Sequence, residues 1–268
     1  MQDTRQLYLD LLKKCLMHTL YEELDMAEWM PSRSFRDRLL GMLLPSEARL
    51  FLPAVDATRQ TGNEWPMLAQ TMIGAKRLDN IQYCMETVLR EAVPGDVIEA
   101  GVWRGGACIF MRGLLAVWEV QNRTVFVADS FAGLPPPCAD LYPADAWSDL
   151  HELQGLAVSV DQVRANFERY GLLDDQVKFI AGWFRDSLPT APLTTLAVAR
   201  LDGDLYESIM DSLTHLYPKL SPGGFLIVDD YLLLACCKQA VDDYRAAHGI
   251  HEEIRAIDWN AVYWRKEG

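Results

Sequence analysis

Two short acidic segments hold the densest reactive chemistry in the chain, Asp202-Gly-Asp204 and Asp229-Asp230. Each follows a short apolar run, Leu196–Leu201 and Phe225–Val228, and each precedes a helical pattern. If the two runs are neighbouring parallel strands, their carboxyl ends lie side by side and four carboxylates crowd one cleft. Like charges at that range raise one another's pKa. A hard divalent cation removes the conflict, and carboxylate oxygens are the ligands Mg²⁺ prefers. Helix capping accounts for one of these aspartates, since Asp is favoured just ahead of a helix. It accounts less well for four.

A second cluster follows the apolar run Asp96–Ala100, in Glu99-Ala-Gly101-Val-Trp-Arg-Gly105-Gly106. Gly101 permits a tight turn, and Gly105 with Gly106 is expected to let a ligand lie against the backbone. The spacing departs from the G-x-G-x-x-G of dinucleotide sites, and Glu99 would repel a pyrophosphate. An acid there suits an ammonium group, such as the amino-acid end of S-adenosyl-L-methionine. A glycine-rich turn without a ligand is the plainer alternative, although ligands favour the carboxyl ends of strands. Asp129 closes the run Thr124–Ala128, where an acid holds ribose hydroxyls or caps a turn. Trp183, just past Val177–Ala181, either packs on an adenine ring or belongs to the core.

These residues need a frame that brings strand ends together. From Asp96 onward short apolar runs alternate with helical patterns at Ala107–Val120, Val160–Tyr170, Tyr206–Tyr217 and Leu234–His248. Such alternation implies a parallel sheet covered on both faces, with right-handed crossovers. The last two strand-like runs, Glu252–Ile257 and Ala261–Arg265, are joined by Asp258-Trp259-Asn260, too short for a parallel crossover, so they pair antiparallel. The expected fold class is therefore α/β, a Rossmann-like, mostly parallel seven-stranded sheet of the class I methyltransferase type, ending in an antiparallel hairpin. Helical patterns precede it, over Arg5–Leu24, near Ser34–Leu43 and over Ile73–Ala92, with Pro31-Ser32 as a break. Residues 1–70 are expected to form a helical extension or lid, and residues 71–268 the cofactor-binding domain.

Composition narrows the partners. The net charge of −13 argues against a nucleic-acid groove, which needs clustered Lys and Arg. No apolar run approaches the roughly 18–20 residues of a membrane span. Cys15, Cys84, Cys108, Cys138, Cys236 and Cys237 show no metal-ligand spacing and read as free thiols of a reducing, cytoplasmic compartment. His248-Gly-Ile-His251 lies in a link between a helix and a strand and lacks partners for a metal pair.

Several long motifs then carry a resemblance: TMIGAKRLDN from Thr71, GVWRGGACIFMRG, VADSFAGLP, VRANFERYGLLDDQV, LDGDLYES and LYPKLSPGGFLIVDDY. From about Asn63 to Arg265 the chain resembles the macrocin O-methyltransferase family, whose members methylate sugar hydroxyls of glycosylated antibiotics, including macrolides and aminocoumarins. The resemblance implies S-adenosyl-L-methionine as methyl donor, and Mg²⁺ held by Asp202, Asp229 and Asp230. It implies Asp204 as general base, and donor contacts at Glu99, Asp129, Ser130, Thr71 and Met72. It implies a small-molecule glycoside as acceptor and, with the unpartnered apolar stripe of the N-terminal helix, a homo-oligomer. The segment Pro135–Gly155, with Asp140, Asp145, Trp147 and His151, corresponds least and is expected to help set acceptor choice. The competing readings are a catechol-type O-methyltransferase, which shares the chelation logic, a nicotinamide-dependent oxidoreductase, and a non-enzymatic partner protein.

Overall fold

The computed structural model describes residues 3–20, 26–28, 51–53 and 56–268. A short ribbon pairs β1 (Met26–Glu28) antiparallel with β2 (Phe51–Pro53). The main sheet comprises β3 (Asp96–Ala100), β4 (Val125–Asp129), β5 (Val177–Ala181), β6 (Leu196–Leu201), β7 (Leu220–Val228), β8 (Arg255–Ala256) and β9 (Val262–Arg265). Its order is β5-β4-β3-β6-β7-β9-β8, and only β9 runs against its neighbours. The seven-stranded, mostly parallel sheet with a closing hairpin is thus the observed architecture. Two boundaries differ from expectation. β7 begins at Leu220, where it pairs with Leu196 across a register shift. β8 shrinks to two exposed residues at the sheet edge.

Helices α2 (Asp56–Thr61) and α6 (Phe184–Ser187) are short, and alternation along the strands feeds two cores. Val97, Val125 and Val127 face α3 (Ala75–Arg90), α4 (Gly106–Val117) and α5 (Val160–Arg169), while Ile98, Phe126 and Ala128 face α7 (Tyr206–Leu216) and α8 (Ala235–His248). This period of two, with helices against both faces, is why the strands read as nearly continuous apolar runs.

The first helix is shorter than its pattern. α1 covers Thr4–Leu16, with Asp3 accepting a hydrogen bond from the Arg5 N–H, and the chain turns away at His18 (φ 58°). Carbonyls freed at its end are satisfied from elsewhere: Leu16 O by the Gln70 N–H at 2.8 Å, Met17 O by Arg59 Nε at 2.8 Å. Tertiary donors, not local propensity, set the stop. Leu9, Leu12 and Leu16 join the core over α4, and each such burial contributes roughly 1.5–3 kcal/mol. A Cβ on Gly113 of α4 would lie 2.5 Å from Leu12 Cδ2, so a side chain there would have to displace the end of Leu12. Leu24 and the expected second helix near Ser34–Leu43, with its Pro31-Ser32 break, lie outside the described residues. All six cysteines are free, and no helix among the described residues is long and apolar enough to cross a membrane.

Candidate active site

A cavity of about 800 Å³ opens at the carboxyl ends of β3, β4, β6 and β7. Glu99, Gly101, Asp129, Ser130, Asp202, Asp204, Asp229 and Asp230 line it, with Trp183 at one side and Thr71 and Met72 at another. Gly105 is not among the lining residues, and the reason corrects the expectation for the glycine-rich turn. Gly105 (φ 84°) lacks a side chain because a Cβ would sit 2.7 Å from Val163 Cγ1 of α5, and one on Gly106 would sit 2.5 Å from Gln70 O. These glycines make room for neighbouring chain. Gly101 (φ 92°) does face the cavity, and a Cβ there would lie 1.8 Å from the Asp202 carbonyl oxygen, so the turns that follow β3 and β6 approach this closely only with glycine here.

The same turn fastens the two segments that cover the cavity. Arg104 Nη1 donates to the carbonyls of Pro66, Met67 and Ala69 at 3.2, 2.9 and 2.7 Å, and the Gly106 N–H to Gln70 O at 3.0 Å. Arg59 Nη2 donates to Thr71 O at 2.9 Å, which places Thr71 and Met72 at the cavity wall. On the opposite side, Trp103 Nε1 donates to Gly155 O at 2.8 Å. Asp129 performs the turn-capping role directly: its Oδ2 accepts from the Val102 N–H at 2.7 Å and its Oδ1 from the Phe131 N–H at 2.8 Å. The Ser130 hydroxyl also donates to Oδ1, at 3.4 Å. Burial raises the Asp129 pKa against those N–H bonds.

At the β6 and β7 ends, Asp202, Asp229 and Asp230 each offer an oxygen within 4.8 Å of the others. Arg200, only 1% exposed, lies among them and contacts Glu99, Asp202 (2.8 Å) and Asp229. Arg77 Nη1 reaches Asp229 at 2.6 Å and its Nε reaches Asp258 at 2.8 Å. The structure settles the direction of Arg200, whose sequence position fits either face of β6: it balances the acidic edge. Glu99 also accepts from the Cys108 thiol at 2.9 Å, and burial pushes its pKa up to about 7 although Arg200 opposes the rise. Burial and the neighbouring Asp202 and Asp229 push Asp204 up to about 8, in a left-handed backbone (φ 57°). Burial, then Asp204, Asp202 and Asp229, drives Asp230 well above the usual carboxylate range. Asp230 Oδ2 and Asn260 Oδ1 are buried acceptors with no donor. An all-oxygen set with orphaned acceptors and excess negative charge fits a hard divalent cation.

These shifts set a pH dependence. The folded chain binds protons at Glu99 and Asp204 more tightly than an unfolded chain does, so stability is greatest below their ordinary pKa, near ~4. It is lost progressively as pH rises toward about 7 and about 8. Asp174, held low by Arg112, gives the opposite slope only at lower pH. Thermal melting in EDTA is expected to fall between roughly pH 5 and pH 8, and added Mg²⁺ to flatten the fall. A melting temperature level across that range would contradict the charge arrangement.

Beyond β4, the covering segment turns Leu134, Pro135, Leu150 and Leu156 toward the cavity. Asp140, Trp147 and His151 are exposed and do not line it. Asp145 is 1% exposed and accepts from the N–H groups of Tyr206 and Glu207 at 2.7 and 3.1 Å. Helix α7 has no cap of its own, so Asp145 supplies one from 61 residues away. Between α8 and β8, His248 Nδ1 meets Tyr244 O at 2.9 Å and its ring stacks on Tyr244, a helix-end role. Sequence reasoning missed Arg77, Asp258 and Asn260. The only local signal was an Asp-Trp-Asn link polar enough to face a site.

The macrocin O-methyltransferase (TylF) family model matches residues 5–266, so the likeness extends well ahead of Asn63. The chain is 50% identical over 264 residues to mycinamicin III 3''-O-methyltransferase of Micromonospora griseorubida, covering 97% of this chain and 96% of that one. It is 51% identical over 266 residues to 8-demethyl-8-(2,3-dimethoxy-alpha-L-rhamnosyl)-tetracenomycin-C 4'-O-methyltransferase of Streptomyces olivaceus, covering 98% and 94%. Among solved structures, the O-methyltransferase NovP is 48% identical with a TM-score of 0.86, covering 98% of this chain and 100% of that one. With a doubly covered sheet, a glycine turn shaped for its own neighbours and an acidic edge at the same cavity, the chain belongs to the macrocin O-methyltransferase family.

Proposed function

We propose that the chain transfers a methyl group from S-adenosyl-L-methionine to a sugar hydroxyl of a glycosylated natural product, with Mg²⁺ at the acidic edge. The convergence of Asp202, Asp229 and Asp230 beside Asp204, in one cavity with Glu99 and Asp129, carries this reading. The relatives named for 3''- and 4'-O-methylation of glycosylated substrates support the acceptor class.

In this reading Glu99 holds the ammonium of the donor and Asp129 takes the ribose hydroxyls. Ser130, Gly101 and the backbone at Thr71 and Met72 shape the rest of the donor site, and Trp183 packs on adenine. Asp202, Asp229 and Asp230 hold the cation, which when bound lowers the pKa of an acceptor hydroxyl. Asp204 accepts the proton of that hydroxyl as its oxygen attacks the methyl carbon in line with the sulfonium sulfur. Fixing oxygen against carbon supplies proximity worth up to ~7–11 kcal/mol. Of the extension expected over residues 1–70, Gly62, Asn63, Glu64 and Trp65 cover the cavity. Leu7 and Leu11, 50% and 51% exposed on the outer side of α1, are available to a second copy, and light scattering of the intact chain decides that point.

The deciding experiment is mass spectrometry after incubation with donor, Mg²⁺ and parallel panels of glycosides and simple catechols. One added methyl on glycosides alone is expected. Methylation of catechols alone would transfer the chain to the catechol-type reading. S-adenosylhomocysteine, but not NADH, is expected to raise the melting temperature. Glu99→Gln and Asp129→Ala are each expected to lower S-adenosylhomocysteine affinity by about 1.5–3 kcal/mol, through loss of a charge-assisted contact. Calorimetry giving wild-type affinity for both variants would remove the donor assignment.

A further inference from the structure

We propose that Asn260 completes the cation site, its amide N–H fixing Asp230 and its carbonyl oxygen serving as a fourth, neutral protein ligand. The inference rests on the cation reading above and extends it to a residue outside the acidic strand ends.

Asn260 sits in the link between β8 and β9 and is 3% exposed. Its backbone is anchored on both sides: its N–H donates to Asp258 Oδ1 at 2.9 Å, and its carbonyl accepts from the Leu232 N–H at 2.9 Å. Asp258 is itself held by Arg77 Nε at 2.8 Å. The side chain therefore enters the cavity from a fixed base. Nδ2 donates to Asp230 Oδ1 at 3.0 Å. That bond engages one arm of the amide and one arm of the carboxylate. The remaining arms, Asn260 Oδ1 and Asp230 Oδ2, are both buried acceptors without a donor.

Two acceptors on hydrogen-bonded neighbours cannot satisfy each other, and a buried acceptor left unmade is costly. A cation satisfies both at once. Neutral amide oxygen is an accepted hard ligand, and it adds coordination without a further charge to an edge that already carries three carboxylates. An aspartate in this place would lose the N–H that allows close approach to Asp230. Orientation of a ligating carboxylate by a hydrogen bond is a recurrent device, and its loss weakens metal binding roughly 10–100-fold.

Mn²⁺ titration of the full chain, read from the free-ion electron paramagnetic resonance signal, tests this without turnover. Asn260→Ala is expected to bind Mn²⁺ at least about tenfold more weakly, with S-adenosylhomocysteine affinity by calorimetry unchanged. Asn260→Asp retains the oxygen and adds charge but loses the N–H to Asp230, so it is expected to bind Mn²⁺ more tightly than Asn260→Ala. Its ion-free form is expected to melt lower, because two carboxylates then face each other. Wild-type Mn²⁺ affinity in Asn260→Ala, or an Asn260→Asp as weak as Asn260→Ala, overturns the proposal and leaves the cation reading standing. Should Asn260→Ala not fold, Asn260→Leu, which fills the same space without an oxygen, takes its place in both comparisons. A wild-type chain that takes up no Mn²⁺ removes the cation reading and this inference together.

Discussion

Asp204→Asn is expected to keep its cation and its donor while losing turnover by about 10²–10⁴-fold, the loss typical of a removed general base. The substitution suits the backbone, because Asp204 sits at φ 57° and Asn tolerates that left-handed region well. Its pKa, pushed to about 8 in the ion-free protein, means that the proton-accepting form dominates at neutral pH only when positive charge is near. Asp202→Asn and Asp229→Asn should fail differently. Each keeps an oxygen and loses a charge, so excess Mg²⁺ is expected to restore part of the rate. EDTA is expected to abolish wild-type turnover and leave S-adenosylhomocysteine binding in place. Initial rates across a Mg²⁺ series separate the cases: rescue of Asp204→Asn would make Asp204 a ligand and move the base elsewhere.

Arg200→Met is expected to cost about 3–5 kcal/mol of stability near neutral pH, the penalty for breaking a buried ion network from one side. Glu99, Asp202 and Asp229 all contact this guanidinium, and without it only Arg77 remains beside Asp229. The stranded groups are carboxylates, so the loss should shrink as pH falls and they take up protons. Added Mg²⁺ should also narrow it, by supplying the missing charge. Urea unfolding at two pH values, with and without Mg²⁺, measures both trends. An unchanged midpoint at neutral pH would mean that the three carboxylates do not depend on Arg200.

The strand ends were legible because period and spacing are local properties. β3, β5 and β6 match their apolar runs residue for residue, and the acids at the ends of β3, β4, β6 and β7 share one cavity. Arg77 was not legible, because its meaning depends on Asp229 and Asp258, 152 and 181 residues downstream. Nothing in a helical pattern over Ile73–Ala92 marks one cation as facing inward. The end of α1 was hidden for a similar reason, since Arg59 and Gln70 supply the donors that stop it. Gly105 shows the converse error. Its type signalled an unusual turn, and the turn exists, but the space it leaves is filled by Val163 and Phe167.

The carboxylate of Asp145 has a consequence for acceptor range. By gripping the start of α7, it divides the stretch between β4 and α5 into two short spans, either side of a pin set next to the Asp204 turn. Trp103 holds the far span again at Gly155. Closure entropy grows slowly with length, by about 0.6 kcal/mol for each doubling of a flexible loop. Residues 132–141 and 147–154 are therefore expected to tolerate lengthening, or exchange for those of a relative, one span at a time. The register of the acidic edge would stay unchanged so long as the pin at Asp145 is left alone.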